Sequence, residues 1–230
     1  MEIRVFDDER AVAEAAANLI AREARAAISI RGRFLVALSG GRTPWMMLEK
    51  LASQRLPWNA VQVFQVDERV APSGDADRNL THLQSSLLAR APLPAVHVHA
   101  MPVEAADLEA AGRQYASELA EFAGSPPVLD LVHLGLGPDG HTASLVPDSR
   151  VLEEMHSDVG LTGPYQGHRR MTLTLPIIDR AQRILWVVTG AEKAATLRRL
   201  LDADATIPAG RVRQDRAVVL ADLAAAKGIE

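Results

Sequence analysis

Apolar and polar positions along the chain follow two different periods. "IRVF" (3–6), "FLVAL" (34–38), "VQVFQV" (61–66), "VHVH" (96–99), "LDLVHLGLG" (129–137), "ILWVVTG" (184–190) and "AVVLAD" (217–222) are short and mostly apolar. Runs of this length and Val/Ile/Leu content predict strands, of which 34–38 and 184–190 are expected to be buried and 129–137 is nearly continuously apolar. "MTLTL" (171–175) alternates and predicts a strand with one face exposed. Between these runs the period changes. Residues 8–30 carry Ala, Leu and Ile at helical spacing with acids first, and 44–53, 79–89, 104–122 and 191–201 predict further helices.

Strands separated by helices predict an α/β fold, an open and mostly parallel sheet with helices on both faces. There is no internal repeat, low-complexity tract or long linker. The Pro/Gly-containing stretch "SDVGLTGPYQGH" (157–168) is expected to be a loop inside one domain that spans residues 1–230.

Composition narrows the picture. The 230 residues are 48% hydrophobic but only 4% aromatic, so the core must be built from Ala, Val, Leu and Ile. A net charge of -4 with scattered Lys and Arg leaves no electrostatic footprint for nucleic acid, so an anionic ligand needs a local basic cluster. The absence of cysteine excludes disulfides, thiolate zinc sites and a cysteine nucleophile. "MEIRVFDDER" is acidic and strand-like, unlike a signal peptide. No apolar run approaches the ~18 residues of a membrane span. The expectation is a soluble, cytoplasmic monomer with no nucleic-acid or membrane partner.

Four predicted strands end in polar loops: "SGGRTP" (39–44), "DERVAP" (67–72), "GPDGHTAS" (137–144) and "TGAEK" (189–193). Parallel strands put all four on one edge, where open α/β sheets bind ligands. Gly135, Gly137 and Gly140 have the spacing of a dinucleotide fingerprint, but Pro138 and Pro147 interrupt the helix that such a loop must open, and no acid ends a following strand. The Walker pattern is absent, so no nucleotide cofactor is expected.

In "SGGRTP", Ser39, Gly40 and Gly41 precede Thr43-Pro44, which has the form of an N-cap with proline at the first helical position. Such a turn is either a phosphate cradle of backbone amides or a plain strand-to-helix connection. Asp67, Glu68 and Arg69 are either a solvated charge run or an orienting acid beside an anion clamp. His141, directly after Asp139-Gly140, is a candidate general base. His97, His99 and His133 lie in or beside strands and are expected to be structural. No three-ligand spacing points to a metal.

Together these loops resemble the 6-phosphogluconolactonase family, whose fold is shared with the glucosamine-6-phosphate deaminase/isomerase group. The resemblance rests on "LSGGRTP" (38–44), "VDERVAP" (66–72) with Asn79, "LGLGPDGHTASLVP" (134–147), "RMTLTLP" (170–176) and "TGAEKA" (189–194), with the "GPDGHTASL" block the most specific. It implies a Rossmann-like three-layer sandwich and hydrolysis of 6-phospho-D-glucono-1,5-lactone with no cofactor. By that resemblance His141 activates water, Asp67 and Arg69 belong to the catalytic group, and Asp67 orients the histidine or the water. Ser39, Gly40, Gly41, Arg42, Thr43, Asn79, Gly140, Arg170 and Lys193 then line the sugar-phosphate site.

The chain departs from the family's pattern at Arg42, usually a small residue, and at Arg78, commonly serine. Arg42 either adds a cation to the phosphate site or points outward. Two alternatives remain. An aminosugar-6-phosphate deaminase would need a ring-opening glutamate, but Ser144, Leu145 and Val146 occupy that stretch. A non-catalytic sugar-phosphate sensor is expected to carry a DNA-binding module, for which the strand at 3–6 leaves no room, and to lose His141 or Asp67.

Overall fold

Among residues 1–229, which a computed structural model of the chain describes, ten strands divide between two sheets. In chain order the strands are β1 (Glu2–Phe6), β2 (Phe34–Leu38), β3 (Val61–Gln65), β4 (Asp67–Arg69), β5 (Val98–His99), β6 (Leu131–Leu134), β7 (Val159–Tyr165), β8 (His168–Leu173), β9 (Ile184–Val188) and β10 (Ala217–Asp222). The large sheet has the order β1-β10-β9-β6-β2-β3-β5, with every neighbouring pair parallel. The small sheet is antiparallel, in the order β4-β8-β7.

The helices are α1 (Glu9–Arg31), α2 (Arg42–Ala52), α3 (Asn79–Leu83), α4 (Leu108–Ala123), α5 (Leu175–Arg180) and α6 (Ala194–Leu201). α1 starts where Asp8 accepts the Ala11 amide at 2.8 Å and stops at Gly32, whose left-handed φ of 73° turns its amide back to the Ile28 carbonyl. Its buried face is largely alanine, which lets the helix lie close to the sheet and to α2.

Successive residues of β2 alternate between two apolar clusters. Phe34, Val36 and Leu38 join α1 and α2 on one face, while Leu35 and Ala37 join α4 and α6 on the other. Both faces are therefore covered, which is why the parallel strands read as continuous apolar runs. From β2 the chain builds the sheet outward through β3 to β5, and from β6 it builds the other way through β9 to β10. The ends of β2 and β6 flank this reversal, the place where open α/β sheets form a ligand crevice.

The small sheet departs from expectation. "DER" is not a loop but β4, paired with β8, and the stretch expected as a loop at 157–168 contains β7 and its hairpin turn. β8 was expected to be half exposed, yet Met171, Thr172 and Leu173 are all buried. Met171 and Leu173 enter the core shared with the large sheet, and the Thr172 hydroxyl accepts the Ser144 amide at 3.2 Å. The expected helix at 79–89 is a short α3 continued by a π-helical turn, Gln84–Leu88, and α4 begins only at Leu108, after its Asp107 cap.

Candidate active site

The four loops meet at the C-terminal edge of the large sheet around a cavity of about 460 Å³. Ser39, Gly40, Gly41, Arg42 and Thr43 line it from the β2–α2 turn, and Lys193 from the turn after β9. His141 enters from the loop after β6, and Asn79 from the start of α3. The small sheet contributes Asp67, Arg69 and Arg170.

In the β2–α2 turn the cap of α2 is Gly41, at φ 131°, so Thr43 lies inside the first turn and is not the N-cap that the sequence suggested. Thr43 Oγ1 instead shares a 2.7 Å hydrogen bond with Thr189 Oγ1, joining two of the site loops. Gly40 packs so closely on Asn79 that a Cβ there would overlap the Asn79 amide oxygen. The Ser39 amide donates inward, to Nδ1 of His133 at 3.2 Å. Full burial pushes the His133 pKa down to about 3, so the ring stays neutral and Nδ1 stays an acceptor.

The Arg42 guanidinium is turned outward, the second of its two expected placements. Arg42 borders the cavity, but its side chain is 80% exposed and its guanidinium pairs with Glu9 at 2.7 Å. The other departure, Arg78, is buried and pairs with Glu104 and, at 3.5 Å, with the fully buried Glu68. Glu68 also accepts the Arg69, Asn79 and Leu80 amides at 2.8 Å each. Arg78 is thus the counter-charge of a carboxylate that shapes the site loop from beneath.

The positive charge comes from elsewhere. Arg69 and Arg170 are directly opposed across β4 and β8. Burial lowers the Arg170 pKa, repulsion from Arg69 lowers it further, and Asp67, Tyr165 and Asp77 oppose both. Among the described residues, the buried Arg170 Nε has no partner. Burial likewise lowers Lys193, against Glu192 and Asp139. Two facing guanidiniums and a half-buried ammonium give the cavity a local cluster of positive charge despite the negative chain.

Asp67 is already occupied. One carboxylate oxygen accepts the Ser144 hydroxyl at 2.6 Å and the other the Asn79 amide at 3.2 Å, while Asn79 in turn accepts Arg69 Nη1 at 2.5 Å. Asp67 was expected to orient His141 or the water, and the first of these roles is corrected: its carboxylate bonds Ser144 and Asn79 and does not orient the His141 ring. Asp139 does so, with its Oδ1 2.6 Å from His141 Nδ1. A carboxylate can only accept, so Nδ1 carries the proton and Nε2 is left with its lone pair. Partial burial raises the Asp139 pKa, but the charge of His141 and hydrogen bonds from His141 and Tyr165 outweigh it and the net shift is downward. Gly140 does not line the cavity; at φ 85° it packs on Ile207 and shapes the turn that presents His141.

Asp139 and Tyr165, which hold His141, were not assigned by the sequence, nor were the lining residues Trp45, Thr189 and Glu192. The signal for Asp139 was present, since an aspartate two residues before a histidine in a glycine turn can cap that turn and reach the ring. Among the described residues, no three His, Asp or Glu side chains are grouped to hold a metal, and no helix is long and apolar enough to cross a membrane.

Residues 7–220 match the family described as glucosamine-6-phosphate isomerases/6-phosphogluconolactonase. The chain belongs to that family. It is 36% identical over 208 residues to a 6-phosphogluconolactonase of Synechocystis sp., covering 89% of this chain and 86% of that one. A 6-phosphogluconolactonase of Nostoc sp. is 34% identical over 234 residues, covering 99% and 97% of the two chains. The crystal structure of 6-phosphogluconolactonase from Thermotoga maritima superposes with a TM-score of 0.85 at 28% identity, covering 96% of this chain and 98% of that one. The expected α/β architecture of this family is therefore the observed one.

Proposed function

We propose that this chain hydrolyses 6-phospho-D-glucono-1,5-lactone to 6-phospho-D-gluconate, the second step of the oxidative pentose phosphate pathway, without a cofactor. One observation carries the reading: a histidine whose Nδ1 is held by a carboxylate at 2.6 Å shares a cavity with three cations, Arg69, Arg170 and Lys193. A base beside an anion-binding cluster fits an ester substrate that bears a phosphate.

His141 Nε2 takes a proton from water as the water oxygen bonds to the lactone carbonyl carbon, and the carbonyl electrons move onto its oxygen. When that oxyanion collapses, the ring C–O bond breaks. The imidazolium returns its proton to the departing alkoxide, which becomes the free hydroxyl of the open-chain acid. Asp139 keeps the ring in the productive tautomer throughout and stabilises the imidazolium. Arg69, Arg170 and Lys193 serve the substrate phosphate and the developing oxyanion. Asp67 anchors Asn79, and through it the Arg69 guanidinium.

The reading includes a cytoplasmic, monomeric enzyme built as one domain: residues 7–220 match a single family, and the absence of cysteine is compatible with the cytoplasm. The test is His141→Asn. Steady-state kinetics on freshly prepared lactone, corrected for spontaneous hydrolysis, should show kcat reduced by about 10²–10⁴ with the fold intact. The ascending limb of kcat/KM with pH should disappear at the same time. A histidine that only fastens the turn would instead lower thermal stability and leave kcat of the folded protein unchanged.

A further inference from the structure

The β7–β8 hairpin reaches the His141 loop. Its two-residue turn, Gln166 and Gly167 with φ of 48° and 86°, uses the paired left-handed residues that match the twist of a tight hairpin. Just before the turn, Tyr165 is partly buried against the His141 loop. Its hydroxyl donates to Asp139 Oδ2 at 2.9 Å, the carboxylate oxygen that His141 leaves free, and lies 3.3 Å from His141 Nδ1. Its ring meets the His141 ring edge-on with centroids 5.5 Å apart. The opposite side of the hairpin carries Arg170, whose guanidinium carbon is 5.1 Å from the Tyr165 ring centroid. Arg170 Nη2 also donates to the Tyr165 carbonyl at 3.4 Å.

We infer that Tyr165 is a positioning residue that acts through two partners at once, its hydroxyl fixing the Asp139–His141 pair and its ring holding the Arg170 guanidinium in the cavity. The inference rests on the reading of His141 as the base. Asp139 has two oxygens and one histidine to hold. Without a donor on Oδ2 the carboxylate can rotate and lose its grip on the ring; with one, both oxygens are fixed and the plane of the imidazole is set. The aromatic face offers a cation site to a guanidinium whose Nε has no partner. The hairpin thereby couples the base to the anion site.

The charged groups around His141 define the expected pH behaviour. Asp139 faces it from its own loop, while Arg170 from β8 and Lys193 from the turn after β9 line the same cavity; Lys193 is coupled to Asp139, and Asp67, Asp77 and Arg69 act on Arg170. Of these, only Asp139 loses a direct partner when the tyrosine hydroxyl is removed. A carboxylate freed of that donor holds a proton, and therefore a protonated imidazole, more strongly.

The substitution Tyr165→Phe removes the hydroxyl and keeps the ring. It should lower kcat roughly 3–10-fold, the worth of one hydrogen bond, with KM nearly unchanged, and shift the ascending limb of kcat/KM to higher pH. Tyr165→Leu removes the ring as well and should additionally raise KM for the phosphorylated lactone severalfold. Thermal melting of both variants confirms that folded protein is compared. A Tyr165→Phe enzyme with wild-type kcat and an unshifted limb overturns the inference. So does a kcat loss matched by the loss of folded protein with the limb in place. His141→Asn assayed alongside separates the two levels: if it falls and Tyr165→Phe does not, only the tyrosine role fails, whereas if His141→Asn turns over at the wild-type rate, the base reading fails and takes this one with it.

Discussion

Arg69 and Arg170 sit opposite one another on neighbouring strands, an arrangement that costs stability in an empty protein because like charges face each other. Such a pair is retained where an anion fills the space between the charges, and Lys193 completes the cluster across the cavity. Arg170→Ala or Lys193→Ala should therefore raise KM for the phosphorylated lactone about tenfold or more, as the loss of one charge-assisted contact of ~1.5–3 kcal/mol implies. The phosphate-free gluconolactone should be a poor substrate for the wild type and be little affected by either change. Kinetics on the two lactones with the same enzyme preparations check this, and equal use of both lactones by the wild type would mean the cluster does not read phosphate. At this scale the sequence is informative about position where a motif ends a strand, as in Asp67, His141 and Lys193, which all line the cavity. It is silent where a side chain's partner is distant in the chain. Arg78 is the example: its role depends on the buried Glu68 and on Glu104, neither of which its neighbours in sequence reveal.

Among the elements, the inner parallel strands β2, β3, β6, β9 and β10 were readable because they are covered on both faces and so appear as apolar runs, whereas the edge strand β1, largely exposed, showed itself only as a short apolar stretch. The small sheet was not readable. β4 is three residues long and all of them charged, and β7 carries Gly160, Gly163 and Pro164, residues that depress strand propensity. Its strands are stabilised by packing on the large sheet's core and by what they carry into the site, not by their own pattern. Tyr165 was missed for the same reason, since nothing in a stretch that reads as loop shows which strand it will pair with. The β2–α2 turn shows the reverse case, a glycine pair whose spacing was visible but whose reason was not. Gly40 is small because Asn79 fills the space its Cβ would need, and Asn79 cannot retreat while it bridges Asp67 and Arg69. Gly40→Ala should push Asn79 off these partners, displacing the Arg69 guanidinium and lowering kcat/KM at least tenfold. A thermal melt should show only a modest loss beside it. Gly40→Ala with unchanged kinetics would show that the Asn79 bridge has no part in placing Arg69.

For the molecule as a whole, the buried histidine at the centre of the sheet links the site to acid stability. His133 lies on β6, fully buried, accepting the Ser39 amide with Nδ1 while its Nε2 has no partner. Burial takes its pKa from 6.5 to about 3, so the folded protein keeps the ring neutral over a range in which the unfolded chain binds a proton. Stability therefore rises with pH wherever the unfolded state holds that extra proton. The contribution is fully present above the unfolded value of 6.5 and is lost progressively as the pH falls toward about 3. Each pH unit in that window can remove up to about 1.4 kcal/mol. For a chain of this size that is roughly 3–6 °C of melting temperature per unit. Melting temperatures measured from pH 7 down to pH 4 should fall accordingly in the wild type. His133→Asn offers the Ser39 amide an acceptor that does not titrate in this range, so its curve should start lower at neutral pH, because a cavity replaces the ring, and then descend less steeply. Parallel descents in the two proteins would assign the acid sensitivity to carboxylates alone. Convergence of the curves at low pH would locate the acid-labile point directly beneath the loop that opens the anion site.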